Sequence, residues 1–222
     1  MRTFLTLNVG GFLSALLLGT ALIYLGWATG KGLLFLLVMI YFLILSTLVT
    51  AAGQEKKENM GVYERGRGWK NVFANGIVPV AVAVLILLNI GNSWTVEVLT
   101  VSYVASISAI MSDKFASEIG ILDGRPTMLL TMKPAKKGES GGVTGTGTLA
   151  SLIGAFLIST CLIALNMPVI YIAIATGAGF IGNIVDSLFG YFEEHKIGNK
   201  YTSNMACAIT GAALAYIILA VL

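Results

Sequence analysis

Three carboxylates lie in or directly after apolar segments of this chain, where they could bind a metal ion. Asp113 and Glu118 occur in "SDKFASEIG" (112–120), directly after an apolar run, and Asp186 lies within a later apolar run. An ionised group inside a membrane segment is costly and usually marks a functional pathway. Mg²⁺ commonly takes oxygen ligands from one or two carboxylates and from substrate phosphates. We therefore expect these three acids to bind or position Mg²⁺.

The second half of such a site is the Gly-rich basic segment "KPAKKGESGGVTGTGTLA" (133–150). Backbone N–H groups of such a segment can surround phosphate oxygens, and the helix that follows it would present an anion-binding N-terminus. The predicted phosphate clamps are Lys133, Lys136 and Lys137, and the predicted cradle is Ser140, Gly141, Gly142 and Thr144. A cradle also predicts a positive φ at Gly142, which a β-branched residue would not adopt. A flexible linker is the alternative interpretation.

Three helical faces carry the remaining polar residues. In the sixth apolar segment the spacing i, i+3, i+4, i+7 is occupied by Asn183, Asp186, Ser187 and Gly190. The fourth segment has a stripe of small residues that ends in a carboxylate: Ser102, Ser106, Ala109 and Asp113. The third segment repeats polar residues every four positions: Arg67, Asn71 and Asn75. Residues at these spacings share a face, so the three faces could converge, with Asn75, Asn183 and Ser187 orienting bound groups. Interhelical hydrogen bonding remains the alternative role for such Ser and Asn residues.

The composition requires a membrane environment for these faces. Of 222 residues, 56% are apolar and 11% are charged, and the mean hydropathy of +0.86 excludes an ordinary soluble domain. Seven segments can cross a hydrocarbon core of about 20 residues: 4–25, 32–52, 71–90, 94–112, 145–165, 167–190 and 203–221. We therefore predict an all-α integral membrane protein, a bundle of seven transmembrane helices in a single membrane domain over residues 1–222.

Basic residues set the predicted orientation. The connections at about 53–70, 113–144 and 191–202 carry nearly all of them: Lys56, Lys57, Arg65, Arg67, Lys70, Lys114, Arg125, Lys133, Lys136, Lys137, Lys196 and Lys200. The opposite connections contribute only Lys31. The positive-inside rule places the rich connections and the N-terminus in the cytoplasm and the C-terminus outside. The net charge of +3 is thus a topology signal, and we expect no nucleic-acid partner.

Four motifs together resemble one known family. "RGWKNVFANG" (67–76), "SDKFASEIG" (112–120), "PTMLLTMKPAKKGESGGVTGTGTLA" (126–150) and "IGNIVDSLFG" (181–190) are similar, in order and spacing, to the membrane family that contains plastid phytyl-phosphate kinase. The spacing of Asp113, Ala116 and Gly120 also resembles that of the CTP-using dolichol kinases and CDP-diacylglycerol synthases. One departure is Lys114, at a position that is often Thr in the family.

The resemblance implies phosphoryl transfer to a prenyl monophosphate. We therefore expect an integral, multi-pass membrane kinase whose active site faces the cytoplasm, with Mg²⁺ as cofactor and CTP as donor. A lipid-phosphate cytidylyltransferase would need similar residues and is the first alternative. The second is an ion-coupled secondary transporter with Asp186 as its ion site, although such sites usually lie near the membrane midplane. Homo-oligomerisation is left open.

Overall fold

Seven long helices form the fold of the computed structural model, which describes residues 7–63 and 66–222. They are α1 (Val9–Ala28), α2 (Gly32–Ala51), α4 (Trp69–Leu88), α5 (Ser93–Gly120), α6 (Gly145–Ser159), α7 (Val169–Glu194) and α8 (Lys200–Val221). A 3₁₀ turn over Thr160–Leu165 extends α6. All seven are long and apolar enough to cross a membrane. The predicted all-α membrane bundle is confirmed.

A few sequence expectations fall on residues outside the described ranges. They concern residues 4–6 of the first predicted segment, and Arg65 of the charge pattern. The other predicted segments agree with the helices to within a few residues, except at the ends of two of them. The helix α5 runs eight residues past the predicted end at 112, and α7 runs four residues past the predicted end at 190. "SDKFASEIG" is therefore helical throughout.

The helix α5 is the centre of the bundle. It packs against α2, α4, α6, α7 and α8, and most of its membrane-spanning part is buried. The first helix, α1, packs on α2 and α4. Because α5 has protein on every side, its small and hydroxyl residues contact neighbouring helices and not lipid. The Ser108 hydroxyl, for example, donates 2.9 Å to the Ala155 carbonyl of α6.

Glycines let α7 and α8 approach this central helix closely. A methyl group added at Gly182 of α7 would lie 2.7 Å from the side chain of Ala109, and one added at Gly211 of α8 would lie 2.6 Å from the Ala105 carbonyl oxygen. Close backbone approach through small residues is the usual means of helix association in membranes. It brings the polar end of α7 next to that of α5.

Two short elements lie at the polar end of the bundle. Between α2 and α4 is the helix α3 (Gln54–Asn59), and between α5 and α6 the strands β1 (Thr127–Met128) and β2 (Gly142–Val143) pair antiparallel. Thr127 faces Val143, and Met128 faces Gly142. The Gly-rich connection is therefore folded back on itself as a small hairpin and is not an extended linker.

Candidate active site

A cavity of about 460 Å³ opens among α2, α4, α5, α7, α8 and the hairpin. Residues from all three basic connections line it, among them Lys57, Lys137 and Lys200. The three connections therefore lie at one end of the bundle. Polar residues of α4, α5 and α7 also meet there. The predicted faces of α4 and α7 line this space, but of the predicted α5 stripe only Asp113 does; its other members, Ser102, Ser106 and Ala109, are buried and do not line it.

Asp113, Asp186 and Asn183 form what we call the acidic group. Asp113 of α5 and Asp186 of α7 interact with each other, and the Ser117 hydroxyl donates 3.2 Å to an Asp113 carboxylate oxygen. Oδ1 of Asp186 and Oδ1 of Asn183 are buried and have no hydrogen-bond partner among the described residues. Buried oxygens without a donor are costly. The exposed ammonium of Lys200 contributes an attractive charge to both aspartates.

A bound cation would satisfy those oxygens. Two carboxylates and an amide oxygen are hard donors of the kind that Mg²⁺ takes, with phosphate oxygens completing its shell. Among the described residues there is no cluster of three or more Asp, Glu, His or Cys side chains that could hold a metal alone. The acidic group therefore fits an ion that is shared with a phosphate ligand, and Glu118 does not join Asp113 and Asp186 as a third carboxylate.

Lys57, Arg67, Lys114 and Glu118 form the basic group, which has the opposite character. Glu118 accepts from Lys57 at 2.6 Å, from Lys114 at 2.7 Å and from Arg67 at 3.1 Å. The Thr50 hydroxyl adds a fourth donor at 3.0 Å. Both carboxylate oxygens of Glu118 are thus occupied. In this arrangement neither oxygen of Glu118 is free to bind a metal ion, so the structure does not support the expectation that Glu118 is a metal ligand.

Helical geometry explains why two acids of one motif differ so much. Glu118 lies five residues after Asp113, so the two side chains point about 140° apart around α5. Asp113 therefore faces α7, whereas Glu118 faces α2 and the start of α4, where the cations lie. Lys114, four residues before Glu118, shares its face and pairs with it. The residue that departs from the family pattern is therefore a member of the basic group.

The hairpin is attached to the end of α7. The Ser140 backbone N–H donates 2.9 Å to Glu194, and its hydroxyl donates 3.2 Å to Glu193. Gly141 has φ of +82° and lies so close to α7 that an added methyl group would be 2.7 Å from the Ser187 carbonyl oxygen. Contact with α7 fixes this part of the hairpin.

One expectation for the hairpin, a positive φ at Gly142, is wrong. Gly142 does not have a positive φ; among the neighbouring glycines, Gly138 and Gly141 do. Gly142 is instead paired in β2, where an added methyl group would lie 3.1 Å from the Glu139 carbonyl oxygen. The constraint on Gly142 is therefore packing within the hairpin, and the left-handed conformation belongs to its neighbour.

The N-terminus of α6 already has an anionic partner. The Thr144 side chain caps this helix by accepting from the Gly147 N–H at 3.0 Å. The carboxylate of Asp123 accepts from the Thr146 hydroxyl at 2.6 Å. This hydrogen bond, together with backbone donors of Gly124 and Thr146, lowers the pKa of Asp123. An acid of the chain thus occupies the position that was predicted to favour a phosphate.

Twelve of the thirteen predicted site residues line the cavity. They are Asp113, Glu118, Asp186, Lys136, Lys137, Ser140, Gly141, Gly142, Thr144, Asn75, Asn183 and Ser187. Lys133 is exposed and is not among the lining residues. Asn75 donates to the backbone and side-chain oxygens of Asn71, one turn earlier on α4. The structure therefore gathers the predicted residues, except for one of the three lysine clamps.

Sequence reasoning missed several lining residues as members of the site. Lys57 and Lys200 were counted only as topology signals. Arg67 was placed on a polar face and Lys114 was noted as a departure from the family pattern, but neither was assigned a role in the site, and nor was Asn204 of α8. A stronger signal was present for Lys114, because a Lys four residues before a Glu on a helix predicts an ion pair. For Lys57, which is 2% exposed, no local pattern indicates burial.

Comparisons with known proteins agree with the architecture. The family model described as Integral membrane protein DUF92 matches residues 2–215. The Uncharacterized membrane protein MJ0933 of Methanocaldococcus jannaschii is 34% identical over 210 residues, covering 94% of this chain and 84% of the relative. No solved structure matches the chain.

Two plant relatives from Arabidopsis thaliana also match. Protein VTE6, chloroplastic, is 29% identical over 218 residues, covering 96% of this chain and 64% of the relative. Protein PGR is 29% identical over 178 residues, covering 69% of this chain and 62% of the relative. The chain therefore spans less than two thirds of either plant protein.

Proposed function

This chain belongs to the Integral membrane protein DUF92 family, and from that premise we propose that it is a membrane-embedded prenyl-phosphate kinase. The reaction transfers the γ-phosphoryl group of CTP to a prenyl monophosphate, giving the prenyl diphosphate and CDP. The motifs that resemble the family of plastid phytyl-phosphate kinase support this proposal. So does the similarity to VTE6 over nearly the whole chain.

The observation that carries the proposal is the composition of the cavity described above. It combines buried carboxylate and amide oxygens that have no hydrogen-bond partner among the described residues, a set of cations, and the apolar side chains of Phe42 and Ile110. Phosphoryl transfer depends mainly on alignment of two phosphates and on neutralisation of their charge. A water-soluble nucleotide and a lipid phosphate could meet in such a space.

The position of the acidic group along the helices fits reaction at a membrane surface. A membrane core accommodates about 20 helical residues, whereas α5 has 28 and α7 has 26. Counted from the far ends of these helices, such a core ends close to Asp113 and Asp186. Together with the basic connections, this favours an active site at the cytoplasmic interface, where nucleotide is available.

The residues of the chain have separate proposed roles. Asp113, Asp186 and Asn183 would hold Mg²⁺, which when bound neutralises charge on the phosphate oxygens. Lys136 and Lys137 of the hairpin bind the nucleotide phosphates, and Ser187 and Asn75 orient the bound groups. The acceptor phosphate is already ionised, so the reaction needs no strong general base.

The direct test is transfer of labelled phosphate by the purified full-length chain. A panel of prenyl monophosphates is incubated with Mg²⁺ and with CTP, ATP, GTP or UTP. We expect label from the γ position of CTP in the lipid. Label from the α position would instead indicate a cytidylyltransferase, and no transfer from any of the four nucleotides would reject both reactions.

A further inference from the structure

We propose that the basic group is the binding site for the acceptor lipid's monophosphate, distinct from the nucleotide site at the hairpin. This inference rests on the proposed function for the identity of the ligand. It assigns Lys57, Arg67 and Lys114 to one of the two substrates. Neither the sequence motifs nor the proposed reaction makes that assignment.

Charge is the first argument. The formal charges of the two lysines, Lys57 and Lys114, and of Glu118 add to +1. The side chains of Lys57 and Lys114 are 2% and 8% exposed, respectively. Buried positive charge in excess is costly, and a phosphate monoester, which carries up to two negative charges, would compensate it.

Unused donors are the second argument. The Lys114 ammonium has three N–H groups, and among the described residues it donates only to Glu118. Lys57 differs, because it donates both to Glu118 and to the Thr50 carbonyl oxygen. Lys114 lines the cavity, so its remaining donors are available to a ligand there. Glu118 holds the three cations together, and we assign it a positioning role.

Apolar side chains also line the cavity, deeper along α2 and α5 than the basic group. Thr50 of α2 lies beside Glu118, and Phe42 of the same helix also lines the cavity. At 1.5 Å per residue, Phe42 lies about 12 Å deeper along α2. Ile110 of α5, eight residues before Glu118, lies about 12 Å from it along the helix and also lines the cavity. A phosphate at Lys114 would therefore have an apolar path for a hydrocarbon tail, which a nucleotide does not need.

The lysines on the hairpin side of the cavity lie outside the membrane-spanning helices. Lys136 and Lys137 are exposed and lie in the connection between α5 and α6. Lys114 neighbours Asp113 in sequence and interacts with it electrostatically. A monophosphate in the basic group would thus lie beside the acidic group, which is where a metal-bound nucleotide phosphate must meet it.

Equilibrium binding without turnover tests the assignment. The full-length chain in nanodiscs is titrated with farnesyl monophosphate, with inorganic phosphate and with CTP, each alone. Lys114→Met keeps the length of the side chain and leaves Glu118 with two cations, so it should fold. We expect it to raise the Kd for farnesyl monophosphate and for inorganic phosphate at least tenfold, and to change the Kd for CTP by less than twofold.

Two further variants separate the headgroup from the tail. Phe42→Trp should raise the Kd for farnesyl monophosphate and leave that for inorganic phosphate unchanged, as expected of a lipid site. Lys70→Gln removes a cation at the start of α4 that lies over the Trp69 ring, outside the cavity. It should change none of the three affinities. Equal effects of Phe42→Trp on both phosphates would overturn the lipid assignment.

The assignment is overturned if Lys114→Met leaves the farnesyl monophosphate Kd within twofold, or if it weakens CTP instead. It is also overturned if the wild-type chain does not bind farnesyl monophosphate. These results are distinct from failure of the kinase proposal. If Lys114→Met weakens farnesyl monophosphate binding but the wild-type chain transfers no γ-phosphoryl group, the lipid site is supported and the kinase is rejected. If the wild-type chain transfers the group but Lys114→Met binds farnesyl monophosphate normally, the kinase is supported and the lipid site is rejected.

Discussion

The acidic and basic groups each include residues of α5 and lie next to each other, but the hydrogen bonding of their carboxylates differs. Glu118 has a donor on every side from Thr50, Lys57, Arg67 and Lys114. Asp186 has a buried oxygen with no partner among the described residues. A carboxylate whose oxygens all have donors holds the surrounding side chains in place, whereas one with a buried oxygen that lacks a donor can bind a ligand. The difference teaches that an acid in a membrane helix must be judged by its partners before it is assigned to a metal.

The largest expected effect would come from the unsatisfied side. Asp186→Asn should lower turnover about a thousandfold, or ~4 kcal/mol, because it removes negative charge from the proposed Mg²⁺ site with little change in shape. Asp113→Asn should act similarly. The measurement is γ-phosphoryl transfer at saturating Mg²⁺. Glu97→Gln, at the opposite end of α5, is the matched control, and near-normal turnover of either aspartate variant would remove that residue from the metal site.

The free energy of unfolding should respond in the opposite way, with the larger loss in the basic group. Glu118→Gln removes the carboxylate that the three cations share, and breaking such a buried network should cost about 3 kcal/mol in the free energy of unfolding. Asp186→Asn should leave the ligand-free chain equally stable or more stable, because it removes a buried negative charge next to that of Asp113. Thermal unfolding in one detergent compares the two. If Asp186→Asn proves the more destabilising, the contrast between the groups is wrong.

The hairpin lines the same cavity as both groups, and its contact with α7 depends on a glycine. Gly141→Ala should lower stability by about 1–3 kcal/mol and reduce turnover, because the added methyl group meets α7 and the φ is positive. Gly138→Ala is a matched control, since its φ is also +82° but an added methyl group has no contact closer than 3.7 Å. Equal losses in the two variants would assign the effect to backbone strain alone and remove the close contact with α7 from the explanation.

Lys137→Ala should have a smaller and more specific effect than any change in the two groups. One exposed cation among several contributes binding in ground and transition states alike, so the KM for nucleotide should rise severalfold with little change in kcat. Lys133→Ala is the control, because Lys133 is exposed outside the cavity. Steady-state kinetics with varied CTP distinguish them. A larger effect of Lys133→Ala would place the nucleotide elsewhere.

The smallest effect is expected at Asp123, an exposed acid outside both groups. Its lowered pKa means that the folded chain favours the ionised form. The resulting stabilisation is present above the ordinary pKa of an Asp and disappears as pH falls through the lowered value. Asp123→Asn should therefore reduce the melting temperature slightly at pH 7 and not at all at the acidic end of a pH series. A pH-independent difference would contradict this role.

The sequence by itself determined the membrane bundle and much of the candidate site. Hydropathy locates all seven spans, because burial in a hydrocarbon core requires long apolar helices whatever their neighbours. The i, i+3, i+4 spacing also placed Asn183, Asp186 and Ser187 correctly on one face, since helical periodicity is local. The family follows from the four motifs and is confirmed by the match over residues 2–215.

Only the tertiary structure decided which charges meet. Glu118 and Asp113 look equivalent in "SDKFASEIG", and they differ because α2 and α4 bring Lys57 and Arg67 to one side of α5 while α7 brings Asp186 to the other. Asp123 likewise reached the N-terminus of α6 through a chain reversal. Such partners depend on helix rotation and crossing, which side chains distant in sequence fix together, so no local pattern could specify them.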